Sequence, residues 1–422
     1  MKYAFWPAFL CLLWAAPLLA AEGDGFFFRD GDRIVVIGDS ITVGDGYVRY
    51  LENFLRARFP QWTLAVRNGG INGCTAQIGF PVMDDDVLIW KPTVAVINYG
   101  MNDGRRKDGL EYYKAGIVPY ADKLLANKVR IALCSNTPLD IGDEPGKFTN
   151  FNKNFDEMAN FAAGFAKERG LAFADQFHFL HTLWGENRKR GKPVPVSEQT
   201  LSKLSADSVH VRWGGYTTMT YIILRELHAP TEVSHAAIDA VAGQAVTRRC
   251  EVRELTCGGG HVSFVRADES SPCWIDDAGA PGLDLVPFQD ELNRMMLQVT
   301  GLSAGAYELR IDDQLDGAFT AAQLAEGINL SRNRKSAVYA VGRKVADAIA
   351  AQASAVRAAR DVMALKPPDW LKFPDLAQQK AAEFARRAPA IAAQDAAIAK
   401  AAAPAPHRYE IRPAPRAEEK TP

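Results

Sequence analysis

The stretch RIVVIGDS, residues 33–40, sets the fold of this chain. Its unbroken run of apolar, mostly β-branched residues is typical of a strand buried on both faces of a sheet. A turn with a serine follows directly, and residues 46–59 then place Tyr47, Leu51 and Phe54 on one face of a predicted helix. The first unit of the fold is therefore a strand followed by a helix.

Strand patterns and helix patterns continue to alternate downstream. Such alternation predicts parallel strand pairing with helices on both faces, an α/β fold with a doubly wound sheet. In sheets of this kind, reactive groups gather where the strands end. The further predicted strands are 63–70, 93–100, 129–135 and 171–176, and the further predicted helices are about 110–126, 151–168 and 214–227.

Composition excludes one class of partner. The chain has 422 residues, more than one average domain, and 48% hydrophobic residues provide for a large core. Its 49 Lys and Arg against 50 Asp and Glu give a net charge of −1. Sequence-independent binding of nucleic acid needs an excess of positive charge, so no nucleic-acid partner is expected.

The first residues have the layout of a secretory signal peptide. Lys2 precedes an uncharged apolar run, and small residues close it at Ala20 and Ala21, which predicts a signal over residues 1–21. No later stretch approaches eighteen uninterrupted apolar residues, so no stable membrane span is expected after cleavage. The mature protein is therefore expected to be secreted or periplasmic.

Four further regions follow from the sequence pattern. An α/β domain is predicted over 26–230 and a small β-rich module over 231–330, where short alternating strands are separated by Gly and Pro. Ala-rich helices are predicted over 331–401, and a Pro-rich, charged tail over 402–422 is predicted to be disordered. Five cysteines remain after export, and one disulfide among Cys250, Cys257 and Cys273 is expected in an oxidising compartment.

Four short motifs fall where chemistry is expected, three after predicted strands and one before the last helix. Ser40 ends the first, and a serine becomes a nucleophile when a base takes its proton. The glycine-rich loop that contains Gly73 follows the second strand, and Asn102 follows the third, where its amide could donate to an oxyanion. Asp207 precedes His210 by three residues, a spacing that lets the carboxylate orient the imidazole. Taken singly, these motifs also fit a helix cap, an ordinary loop and an Asx turn.

Together, the four motifs resemble the SGNH hydrolase family, also called GDSL-type esterases and lipases, in order, spacing and strand context. The resemblance implies a flavodoxin-like parallel sheet of the SGNH hydrolase type over the 26–230 domain. It implies Ser40 as nucleophile, with His210 and Asp207 completing a triad. It also implies an oxyanion hole formed by the backbone N–H of Ser40 together with Gly73 and Asn102.

The resemblance implies a carboxylic ester hydrolase without cofactor or metal, exported according to the predicted signal, acting on a short-chain ester such as an O-acetyl group on a carbohydrate. A lipid esterase or lysophospholipase and a carbohydrate O-acetyltransferase with the same triad are the alternatives, followed by a non-enzymatic surface-binding protein. One competing site is His178 and His181 with Asp175 nearby, a spacing that allows a metal-binding helix face but also fits a structural role.

Overall fold

The structure is a computed structural model, and it describes residues 25–139, 151–189, 209–212, 214–364 and 375–415. The predicted signal peptide lies outside the described residues. Among the helices that are described, none combines the length and the apolar character that a membrane crossing requires.

The first sheet has five parallel strands in the order β2-β1-β3-β4-β5. This is the flavodoxin-like order, and it confirms the predicted α/β fold class. The strands are β1 Arg33–Gly38, β2 Ala65–Gly70, β3 Val94–Asn98, β4 Arg130–Cys134 and β5 Ala172–Ala174; the helices are α1 Ser40–Val43, α2 Gly46–Arg58, α3 Ala76–Gly79, α4 Met83–Asp86, α5 Gly109–Ala126, α6 Phe151–Arg169, α7 Gln176–Lys189 and α8 Gly214–Glu226.

Strand β1 lies between β2 and β3 in the sheet. Its apolar residues Ile34 to Ile37 are almost completely buried, because helices cover both faces of the sheet. In the ladder, Gly38 at the end of β1 is aligned with Gly70 of β2 on one side and with Asn98 of β3 on the other. The segments that follow these three strands therefore leave the sheet side by side.

The β-rich region consists of two sheets around a second hydrophobic core, in the orders β13-β10-β6-β7 and β12-β11-β14-β9-β8. Short helices α9 Phe288–Glu291 and α10 Ala321–Glu326 lie between its strands. The strands are β6 Glu232–Asp239, β7 Gln244–Arg248, β8 Cys250–Gly258, β9 His261–Asp268, β10 Arg294–Thr300, β11 Ala306–Ile311, β12 Gln314–Thr320, β13 Ile328–Asn329 and β14 His407–Pro413.

Strand β14 corrects the prediction that residues 402–422 form a disordered tail. It pairs antiparallel with β11 on one side and β9 on the other, in the middle of its sheet. The alternating side chains of Tyr409 and Ile411 are fully buried, and the Tyr409 ring stacks on Phe264 at 5.0 Å between centroids. The alternation of buried and exposed side chains favours a strand here. The prolines do not interrupt it, because they lie at or beyond the strand ends.

One segment that lies after the predicted domain boundary at residue 231 packs into the α/β domain. Cys273, Ile275 and Phe288 belong to the core of the first sheet rather than to that of the β-rich module. The Tyr50 hydroxyl donates to Asp276 at 2.6 Å, which joins this segment to α2. The chain therefore returns to the α/β domain between β9 and β10.

The Ala-rich region forms two long helices, α11 Ala340–Ala364 and α12 Leu376–Ala401, which pack against each other and against the edge of the first sheet. Asp395 of α12 is central to this contact. It accepts hydrogen bonds from Arg67 of β2, Arg56 of α2 and Gln352 of α11. Only 2% of the Arg56 side chain and 8% of the Arg67 side chain are exposed, so this is a buried ion-pair network.

The cysteines differ from expectation. All five that the structure describes are free, so the disulfide expected among Cys250, Cys257 and Cys273 is absent from this part of the chain. Cys250 and Cys257 lie seven residues apart on the same strand β8, a separation of roughly 23 Å that no disulfide spans. Cys273 is buried in the other core, where its thiol donates to the carbonyl of Tyr50.

Candidate active site

Ser40 is the first residue of α1, two positions after the end of β1. The helix is capped by Asp39, whose carboxylate accepts a hydrogen bond from the backbone N–H of Ile41 at 2.9 Å. Because Asp39 supplies the cap, the hydroxyl of Ser40 is not needed for that purpose. It is partly exposed at the edge of the sheet, next to the first turn of a helix, where negative charge is stabilised.

The structure brings Ser40 and His210 together. The Ser40 Oγ lies 2.9 Å from His210 Nε2, although 170 positions separate the two residues. This matches the distance of about 3 Å that a serine nucleophile and its base require. The neighbouring Val211 is buried, which anchors the histidine segment just before α8. Asp207, the predicted third member of the triad, lies outside the described residues.

The two predicted oxyanion-hole residues lie in the segments that leave the sheet on either side of β1. Gly73 comes three residues after β2, and Asn102 comes four residues after β3. The Asn102 side chain donates to the carbonyl of Cys74 at 3.0 Å, so it touches the residue next to Gly73. Gly73 has a φ of +67°, a left-handed conformation that favours glycine. The arrangement places both residues beside the end of β1, while their catalytic roles stay predictions.

Two buried carboxyl groups flank this edge and were not singled out from the sequence. Burial raises the pKa of Asp39 to about 6, although the Ile41 N–H and the electrostatic interaction with His210 act in the opposite direction. Burial likewise raises the pKa of Asp103 to about 7, and the nearby Asp39 carboxylate adds to this effect. The backbone N–H groups of Asp103 and Gly100 act in the opposite direction, but neither reaches the Asp103 carboxylate with the geometry of a full hydrogen bond. Each group therefore favours its protonated form in the folded state more than an ordinary aspartic acid does.

Replacement of Asp103 by asparagine is expected to stabilise the protein increasingly as pH rises. The folded-state pKa of about 7 lies above the ordinary value of 3.8, so the contribution of the protonated carboxyl to stability is complete below about pH 4 and is lost as pH rises through 7. Asparagine keeps the shape without the charge. We expect Asp103→Asn to gain on the order of 1–3 kcal/mol relative to wild type between pH 4.5 and pH 8.

Urea denaturation of both proteins across this pH range measures the difference. Asp108→Asn, at a position whose side chain is 64% exposed on the same loop, controls for the loss of a surface carboxylate. A difference between Asp103→Asn and wild type that stays constant with pH would contradict the prediction.

Two residues that position the loop after β2 were missed by sequence reasoning. The guanidinium of Arg360, on α11, donates to the carbonyl of Gly70 at 3.0 Å and to both oxygens of Asp86. Asn68 donates to the carbonyl of Thr42 at 2.7 Å and accepts from the N–H of Gly70 at 2.9 Å. Asn68 lies near the end of the predicted strand 63–70, but Arg360 is 290 residues from Gly70, and nothing in its local sequence pointed there.

The alternative site around His178 is an ion-pair cluster. Its two ring nitrogens lie 2.7 Å from Asp175 and 2.7 Å from Asp156. Partial burial acts to lower the pKa of His178, but the two carboxylates outweigh it and raise the pKa. His181 stacks on the Phe177 ring instead of joining them. Within the described ranges, no group of three or more His, Cys, Asp and Glu side chains is arranged to hold a metal ion.

Comparison with known proteins agrees with this geometry. Residues 36–218 match the GDSL-like lipase/acylhydrolase family. An acetylxylan esterase of Geobacillus stearothermophilus is 26% identical over 220 residues, which are 47% of this chain and 94% of that protein. The segment matched by the family, residues 36–218, contains Ser40, Gly73, Asn102 and His210.

Solved structures extend the likeness beyond this domain. A gut microbial diltiazem-metabolizing enzyme superposes with a TM-score of 0.78 at 23% identity, over 92% of this chain and 98% of its own. An acetyl-xylooligosaccharide esterase from Geobacillus superposes with a TM-score of 0.40 at 24% identity, over 47% of this chain and 95% of its own. At such identities the first likeness concerns the fold alone. It covers the β-rich module and the two long helices as well as the α/β domain.

Proposed function

We propose that this chain removes short acyl groups, acetyl above all, from hydroxylated compounds such as carbohydrates. The premise is that residues 36–218 belong to the GDSL-like lipase/acylhydrolase family, so that the chain is a carboxylic ester hydrolase. The observation that carries the proposal is the 2.9 Å contact between Ser40 Oγ and His210 Nε2 at the end of β1. An acyl-enzyme forms on Ser40. With the predicted signal over residues 1–21, the reaction takes place outside the cytoplasm.

The proposed reaction has two steps. His210 accepts the proton of the Ser40 hydroxyl as the oxygen attacks the ester carbonyl, and it then gives this proton to the departing alcohol. A water molecule, deprotonated by His210, attacks the acyl-enzyme and releases the carboxylic acid, while the proton returns to Ser40. Asp207 orients the imidazole and stabilises its charged form.

Charge develops on the carbonyl oxygen in both steps. The backbone N–H groups of Ser40 and Gly73 and the amide of Asn102 are the proposed donors to it. One N–H of the Asn102 amide is bonded to the carbonyl of Cys74, and within the described part of the chain the second is free to donate to the oxyanion. Donors fixed in this way before the reaction need no reorganisation when the charge appears.

The preference for a short acyl group and a hydroxylated alcohol rests on two observations. The related Geobacillus protein is an acetylxylan esterase. The segment 183–205 of this chain, which leads to Asp207 and lies mostly outside the described residues, carries the run ENRKRGK. Such side chains offer hydrogen-bond donors to hydroxyl groups but do not remove a long alkyl chain from water.

Rates on ethyl esters of acids of increasing length test this preference. We expect kcat/KM to fall from acetate to butyrate and to be negligible for octanoate, because each added CH₂ contributes about 0.8 kcal/mol only if it is buried. Release of acid is followed by titration at constant pH. Each rate is divided by that of alkaline hydrolysis of the same ester, which corrects for intrinsic reactivity. A higher kcat/KM for octanoate than for acetate would contradict the prediction and favour a lipid substrate.

A further inference from the structure

A cavity of about 500 Å³ lies between helix α11 and the part of the α/β domain that follows β1 and β2. Val43 and Ile71 line it from the α/β domain, and Ile349, Ala353 and Val356 line it from α11. We refer to it as the α11 cavity. Its volume falls within the range of about 300–1,000 Å³ that is usual for sites of small molecules.

The α11 cavity adjoins the proposed reaction centre. Val43 lies three residues after Ser40 in the same short helix, a spacing that puts their Cβ atoms about 5–6 Å apart. Asn72 and Cys74, which flank Gly73, also line the cavity. Ser40, Gly73, Asn102 and His210 do not themselves line the cavity, so a substrate would enter it only with a part that extends past Val43 or past the loop that contains Gly73.

The walls of the cavity are partly aliphatic. Nine of its lining residues are valine, isoleucine or methionine, nine are charged, and none of those the structure describes is aromatic. Four of the charged residues pair with each other, Asp45 with Arg49 and Asp86 with Arg360. Hydroxyl groups buried against such aliphatic walls would lose their hydrogen bonds to water, which is unfavourable. The aliphatic part of the lining is therefore suited to a hydrocarbon group.

The mouth of the cavity is polar. Asp85, Arg357 and Asp361 line it with exposed side chains of both signs. A ligand that fits is apolar at one end and hydroxylated or otherwise polar where it meets solvent. An acetyl group is too small to use this space, so the cavity is matched to the other part of the ester, the alcohol.

We infer that the α11 cavity binds an apolar body on the alcohol side of the ester, and that the preferred substrates are acetyl esters of compounds that carry such a body, for example an acetylated glycoside with an apolar aglycone. The inference rests on the proposed function and narrows its substrate class. It also assigns a role to α11, which lies outside the segment matched by the family: this helix forms the wall that selects the alcohol.

Two acetyl esters of primary alcohols, ethyl acetate and 2-(1-naphthyl)ethyl acetate, test the inference. The variant Ala353→Trp fills the cavity from α11, and Ser354→Trp places the same side chain on the exposed face of the same helix as a matched control. We expect Ala353→Trp to lower kcat/KM for the naphthyl ester by about tenfold to a hundredfold and to leave ethyl acetate within about twofold. Ser354→Trp is expected to change neither ester.

Three results would overturn the inference. The first is that Ala353→Trp lowers kcat/KM equally for both esters, and the second is that it lowers kcat/KM for neither. The third is that it lowers kcat/KM more for ethyl octanoate or acetylated xylobiose than for the naphthyl ester. The last would assign the cavity to an acyl chain or a sugar. Thermal unfolding verifies that each variant is folded, and Ala353→Leu replaces Ala353→Trp if the larger side chain prevents folding.

Binding to the inactive Ser40→Ala protein separates the inference from the proposed function. We expect calorimetry to show saturable binding of 2-(1-naphthyl)ethyl acetate, and Ala353→Trp in the same background to weaken it. If wild type hydrolyses no acetyl ester while this pattern is found, the proposed function fails and the ligand class of the cavity is supported. If wild type hydrolyses acetyl esters and Ser40→Ala shows no such binding, the inference fails and the proposed function stands.

Discussion

Replacement of Ser40 by alanine is expected to lower the turnover of an acetyl ester by at least about 10⁴-fold. The substitution removes the oxygen that lies 2.9 Å from His210 Nε2 and leaves the backbone donors in place. Only the acceleration due to binding and to the oxyanion hole should remain. The release of 4-nitrophenol from its acetate measures the rate, and Ser40→Ala that kept more than a tenth of the wild-type rate would remove Ser40 from the mechanism.

Ser135 provides the matched control for this substitution. It directly follows β4 at the same edge of the sheet, but its hydroxyl donates to Asp175 and accepts from the N–H of Phe177. Ser135→Ala is expected to keep the activity of its folded fraction. A fluorophosphonate that labels active serines should add one group to wild type and to Ser135→Ala, located on Ser40 by peptide mass spectrometry, and none to Ser40→Ala.

Replacement of Asp395 by alanine is expected to lower the free energy of unfolding by about 3–5 kcal/mol. The side chain of Asp395 is 17% exposed and bonds to the guanidinium groups of Arg56 and Arg67, which are more buried still. Its loss removes the one carboxylate that pairs with Arg67 among the described residues, while Arg56 keeps its pair with buried Glu52 at 3.2 Å. Urea denaturation followed by circular dichroism measures the effect, and the midpoint should fall with little change in slope.

Glu383, on the same helix α12, serves as the control for Asp395. It pairs with Arg386, whose side chain is 70% exposed, and with Arg387 one residue further on. Glu383→Ala removes these surface pairs, and no measurable shift of the urea midpoint is expected, since exposed pairs contribute little. If the two variants behaved alike, the Asp395 network would not be what holds α12 to the α/β domain.

The strands of the first sheet could be predicted from the sequence, because the apolar pattern that marks each strand lies within the strand itself. The run Ile34 to Ile37 is apolar, uninterrupted and followed by a turn, and each later strand repeats that pattern. Strand ends were predicted to within about two residues, as for the predicted strand 93–100, which the structure gives as Val94–Asn98. Residues that follow such strands meet at one edge of a parallel sheet, so the nearness of the segments after β1, β2 and β3 could also be expected. The meeting of Ser40 with His210, which precedes α8, was implied by the family resemblance.

Features that depend on distant pairing could not be obtained in this way. The segment of β14 contains His407 and Pro413 and follows a Pro-rich stretch, so its composition favours disorder until its partners, β9 and β11, are known. The bond between Arg360 and Gly70 and the burial of Asp103 likewise arise only in the folded chain. Such contacts are decided by tertiary packing rather than by local propensity.

The central place of β14 has a consequence for the order of events during protein synthesis. Strands β9 and β11 emerge from the ribosome well before residues 407–413, and until then each presents a row of unpaired backbone groups where β14 will insert. The α/β domain has all five of its strands by residue 174, whereas in the sheet β12-β11-β14-β9-β8 the middle strand begins 139 positions after the end of β9. The β-rich module is therefore the part of the nascent chain most exposed to aggregation, and a chain released before residue 407 would carry that vulnerability permanently.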